Sequence, residues 1–209
     1  MATVTPNYNW PVPTSTDFVK DGADSIKDLG DAIDATVFGL PSGGLTLINS
    51  TTFSAVSSQS FNDVFSATYD NYVLLMDFVS SANATISFRY RVSGSDDTAA
   101  NYAYHVQFSN TGATTYSANN ANAATAFVLT SSEGTDSEKS VNVTTFGPFL
   151  SERTLMTGLQ NMSSASGAAP YYGGILQTAF TATTSFTGFS IFPGSGTITG
   201  KVRVYGVQN

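Results

Sequence analysis

The sequence predicts a mainly β protein: an antiparallel, jelly-roll-like β-sandwich preceded by an extended N-terminal strap and one short coiled-coil helix. Three observations carry this. Prolines at 6, 11 and 13 crowd the first fifteen residues, an apolar step of seven runs through 16–40, and beyond residue 41 the apolar period drops to two. The expected organisation is therefore a strap over 1–15, a helix over 16–40 and a sandwich over 41–209.

The strap comes first. Proline fixes φ and biases the residue before it towards extended backbone, so "NYNWPVPTS" reads as an extended run. It carries Trp10, the only tryptophan, beside Tyr8, Pro11 and Val12. An apolar tail of this kind needs a surface to lie on. Docking on another chain is the expectation, which makes Tyr8, Trp10, Pro11 and Val12 anchoring candidates; folding back onto its own chain is the alternative.

The helix follows. Ser15, Thr16 or Asp17 can supply a capping oxygen, and Asp17 and Asp21 sit where the positive end of the helix dipole favours acid. Val19, Ile26, Ile33 and Leu40 recur every seven residues, with Leu29 and Thr36 between them. So narrow a stripe favours a coiled-coil seam of Val19, Ile26, Leu29, Ile33 and Leu40. An amphipathic helix lying on its own domain is the alternative. Three heptads containing Gly22 and Gly30 are marginal alone, so copies held together by a larger domain are expected. Pro41 and Gly43-Gly44 end the helix and mark the boundary.

The sandwich reads as about ten short strands. "ATISFRYRV" alternates Ile86, Phe88, Tyr90 and Val92 against Ser87, Arg89 and Arg91, and "KVRVYGV" repeats the pattern. "NYVLLMDFV" (71–79) is nearly continuous in apolar residues, as in a strand buried on both faces. Others are expected near 45–56, 102–108, 124–130, 140–147, 153–160, 173–181 and 186–192. Turn clusters such as "SGSDD" and "PGSG" separate them. "TGATTYSANNANAATA" (111–126) is expected to be a long loop of small residues. Two antiparallel sheets of jelly-roll type are the economical arrangement.

Composition narrows the function. Charged residues are 11% of the chain, against about 25% in ordinary soluble domains. The net charge is −7, which argues against nucleic-acid binding, where Lys and Arg must neutralise phosphates. Residues 1–40 hold six of the fifteen acids. There is no cysteine, so disulfides and thiol chemistry are excluded. No run is long and apolar enough for a membrane span, and "MATVTPNYNWPVP" lacks the pattern of a secretory signal; a product made in the cytosol is expected.

Catalytic candidates are few. His105, the only histidine, is expected to be a surface or interface residue, since no nucleophile elbow accompanies it. Most of the carboxylates at 70, 77, 96, 97, 133, 136, 138 and 152 fall in turn-like contexts, and the chain is read as no enzyme. No cofactor is expected. A structural calcium on "GSDD" (94–97) or "SSEGTDSE" (131–138) is the one metal site considered. Tyr102, Tyr104, Tyr171 and Tyr172 flank loops and are expected to face a receptor, because tyrosine offers large contact area at low entropic cost. Packing between copies is the alternative.

Two stretches carry a resemblance. "NYNWPVPTSTDFVKDGADSIKDLGDAID" is similar to the N-terminal attachment segment of tail and fibre proteins of tailed bacteriophages. "SFNDVFSATYDNYVLLMDF" and "ISFRYRVSGSDDTAANYAYHVQF", closing on "GTITGKVRVYGVQN", resemble a β-sandwich domain common at phage fibre tips. The resemblance implies a homotrimer with the helix on the threefold axis. The sandwich would then face a host-surface glycan or protein, and other virion proteins of the tail, baseplate or capsid would hold the base. It implies a virion location, displayed outside the particle. Relatives also decorate heads, so a capsid decoration or head-fibre protein is the alternative. A polysaccharide depolymerase is disfavoured for want of a repetitive β-helix. Some relatives carry an "LFNG"-type loop where this chain has "VSGSDD", so no binding residue is carried over.

Overall fold

The prolines that make the first segment extended also let it turn back. In the computed structural model, which describes residues 3–14, 18–39, 44–111, 117–132, 134–165 and 168–208, β1 (Thr3–Val4) pairs antiparallel with β2 (Pro11–Val12). Asn9 takes a positive φ of 55° to close the turn, a conformation Asn tolerates better than most side chains. The chain divides into two compact units, Met1–Gly43 and Gly44–Asn209.

In the first unit a single 3-10 turn, Val19–Asp21, leads into α1 (Gly22–Gly39). The capping candidates Ser15, Thr16 and Asp17, and the seam candidate Leu40, lie outside the described residues. No helix side chain is fully buried. The half-buried positions, Gly22, Ser25, Leu29, Ala32, Ile33 and Thr36, share one face, and β2 packs against α1. The strap expected to run extended onto another chain is instead a hairpin lying on its own helix.

The second unit is mainly β, with two antiparallel sheets. Its strands are β3 (Leu45–Val56), β4 (Gln59–Phe61), β5 (Asn71–Ser80), β6 (Ile86–Val92), β7 (Ser95–Asp96), β8 (Tyr102–Asn110) and β9 (Ser117–Ala124). They continue with β10 (Phe127–Thr130), β11 (Ser137–Phe146), β12 (Leu155–Ala165), β13 (Ala168–Phe180), β14 (Gly188–Pro193) and β15 (Ile198–Val207). The large sheet runs β3-β15-β5-β11-β12-β13-β8-β9, and the small one β10-β6-β14-β4, with β7 added to β6. Every expected strand region overlaps a strand, and the one expected near 124–130 is divided between the end of β9 and β10. The three missed, β4, β7 and β9, are two or three residues long or built of Ala, Asn and Ser. Residues 117–124, expected as loop, pair with β8.

The sheets meet through an aromatic core. Phe88 stacks on Phe189 at 5.0 Å within the small sheet, and Tyr90 meets Phe180 of the large sheet edge-on at 6.2 Å. Offset and edge-on pairs of this kind contribute about 0.5–1.5 kcal/mol each beyond their burial. The expectation that β5 is buried on both faces is corrected. Tyr72, Leu74, Met76 and Phe78 are buried, whereas Val73, Leu75 and Val79 are only half-buried and Asp77 is exposed. One face of β5 lines the core; the other lies on the outer surface of the large sheet.

Candidate functional site

Strand registry builds a flat polar and apolar surface on that outer face. Pairing sets Arg203, Leu75, Asn142, Leu159 and Ile175 in one row across β15, β5, β11, β12 and β13. The next row holds Lys201, Asp77, Ser140 and Asn161. Leu159, 56% exposed, and Ile175 form an apolar floor beside these polar groups. The Ser140 hydroxyl donates to Asp77 Oδ1 at 2.9 Å, and Arg203 Nη1 lies 3.7 Å from Asp77 Oδ2. These contacts hold the carboxylate in place with acceptor capacity to spare.

Shallow depressions follow these rows, two of which matter here. One, of about 280 Å³, is lined by Leu75, Asp77, Ser140, Leu159, Asn161 and Arg203 among others. The second, of about 230 Å³, lies between Glu138, Ser140, Asn161, Tyr171 and Tyr172. Carboxylate, amide, hydroxyl and guanidinium groups around an exposed aromatic and a leucine suit a hydroxyl-rich or polar protein surface.

The four receptor-facing tyrosines divide. Tyr171 is exposed and Tyr172 half-buried, both at the second depression. Tyr104 is half-buried and packs on the core. Tyr102 is fully buried at 0% exposure, correcting its assignment as a receptor contact. Its hydroxyl donates to the Asp97 carbonyl at 2.8 Å and accepts from the Tyr90 amide at 3.2 Å. Burial pushes the phenols of both Tyr90 and Tyr102 well above the ordinary tyrosine range. The alternation itself could have found this, because Tyr102 shares its face with Val106.

His105 is half-buried in a depression of about 320 Å³ lined by Ala103, Tyr104, Ala121, Gln177, Thr178 and Ala179. No carboxylate or serine lies among these residues to complete a triad. Of the calcium candidates, Asp96 accepts from Arg91 Nη1 and from the Ser190 hydroxyl. Asp97 accepts from the Ala99 amide, and Glu133 lies outside the described residues. Among the described residues no three His, Cys, Asp or Glu side chains converge as a metal cluster would require.

In the helical unit, Tyr8 stacks on Trp10 with ring centroids 5.2 Å apart and planes 18° from parallel. Trp10 Nε1 donates to Thr36 Oγ1 at 2.8 Å. Pro11 and Val12 are half-buried. The seam candidates separate along the helix. Val19 and Ile26 are 97% and 67% exposed, while Leu29 and Ile33 are half-buried.

No family model matches the chain, and no curated protein or solved structure matches it.

Proposed function

We propose that this chain is a structural, non-enzymatic virion protein of a tailed bacteriophage. It is a homotrimeric fibre or tail-attached protein whose sandwich presents a host-recognition surface. The observation that carries the reading is a helix without a buried side chain that exposes Ile26, Val37 and Phe38, with Phe18 and Val19 exposed at and just before the 3-10 turn that leads into it. An isolated helix of 18 residues with internal glycine is marginal in water. Its apolar stripe is supplied with a partner if copies of the chain associate along it. Residues 1–15 then serve as the particle-facing end, and the outer face of the large sheet is the recognition surface. Assignment of the two sheets to the jelly-roll class belongs to this proposal. It is supported by neighbours far apart in sequence, such as β3 beside β15.

Light scattering on the full chain tests the reading. A mass about three times 21.9 kDa is expected, and a monomer at all concentrations overturns it. Incorporation into heads instead of tails would favour the decoration role.

A further inference from the structure

The seven-residue stripe is continuous in the sequence but divided in the structure. Its N-terminal half, Val19 and Ile26, is open to solvent. Its C-terminal half, Leu29, Ile33 and Thr36, is half-buried on the face that carries the Trp10 hydrogen bond. The hairpin therefore occupies part of the surface that a second copy of the helix needs.

Its hold is slight. The two strands are two residues each, and Trp10, Pro11 and Val12 remain only half-buried. The anchoring hydrogen bond is dispensable to the helix, because the Thr36 hydroxyl already donates to the Ala32 carbonyl at 2.8 Å. Release would send the indole N–H to water and leave no buried donor stranded. The competing occupant is a second helix, which would cover Val19, Ile26, Leu29 and Ile33, whereas the hairpin packs on α1 and bonds the stripe at Thr36.

From this we infer that the strap is a displaceable cover over the seam. A second copy of this chain engages Val19 and Ile26 first, then takes Leu29 and Ile33 from the hairpin and frees Tyr8, Trp10, Pro11 and Val12. Self-association and strap release are thereby coupled. Whatever binds the freed strap strengthens association, and association strengthens strap binding by the same factor. The inference rests on the self-associating helix of the proposed function.

Trp10 is the only tryptophan and reports on its own release. Sedimentation and tryptophan emission are followed on the full-length chain over one concentration series. The expected result is a red shift of emission that tracks association. Trp10→Phe and Thr36→Val, which remove the donor and the acceptor, should each move the association midpoint about five-fold or more towards lower concentration. Ile26→Asp, at a position already exposed, should abolish association and leave the emission unshifted. Association with unchanged emission, or variants that associate more weakly, overturns the cover while sparing the trimer. Absence of association in the native chain and in both latch variants overturns both.

Discussion

Tyr90 and Tyr102 show how a single hydroxyl ties the two sheets together. Tyr90 lies on β6 of the small sheet, and its hydroxyl pairs with Thr145 Oγ1 of β11 in the large sheet at 2.8 Å. Burial raises both phenols, so the folded chain keeps protons that the unfolded chain releases near pH 10. The folded pKa lies above the unfolded one, so this stability is intact below about pH 10 and is lost as pH rises beyond it. Each phenol contributes a slope that approaches about 1.4 kcal/mol per pH unit once the pH is above the unfolded value. Urea midpoints measured from about pH 9 to about pH 11 should fall, and Tyr90→Phe should reduce the slope by about half. A midpoint independent of pH over that range would show that neither phenol is held neutral. A place beside a loop suggests an exposed Tyr102. The two-residue period, which groups it with Val106, was the better guide.

At the scale of elements, strand positions were legible because alternation survives even where the partner is unknown. β6 and β15 announce their faces through Ile86, Phe88 and Tyr90, and through Val202 and Val204. β9 was not legible, since a strand of Ala, Asn and Ser has no apolar period, and its pairing to β8 is a tertiary fact. The reversal of the strap is hidden in the sequence for a related reason. Proline dictates local extension but not where a turn such as that at Asn9 will reverse the chain. Glycine also acts at this scale. A Cβ on Gly206 of β15 would overlap the ring of Tyr69, whereas one on Gly30 of α1 would meet nothing within 4 Å. Gly206→Val should therefore cost about 1–3 kcal/mol by overpacking, while Gly30→Ala should raise helix stability by about 1 kcal/mol. Chemical denaturation checks the first and circular dichroism the second. Equal effects at the two sites would show that Tyr69 moves aside freely.

For the whole molecule, charge is the property that the two units share least. Residues 1–40 carry six aspartates against two lysines. Lys27 pairs with Asp31 one turn on, which raises the lysine pKa, but both groups remain exposed. Exposed pairs of this sort contribute little. Bringing several acidic helices together along Val19, Ile26 and Ile33 therefore sets like charges side by side, in water, where salt screens them. The Debye length falls from about 30 Å at 0.01 M to about 10 Å at 0.1 M ionic strength. Self-association should accordingly strengthen as salt rises, the reverse of an assembly held by ion pairs. The outer sheet surface, where Asp77 and Arg203 lie close together, carries charges of both signs and gives no such uniform repulsion. Sedimentation equilibrium across that salt range should show the association midpoint moving to lower concentration. A midpoint that moves to higher concentration instead would place the contact between copies on a surface of paired charges and not on the acidic helix.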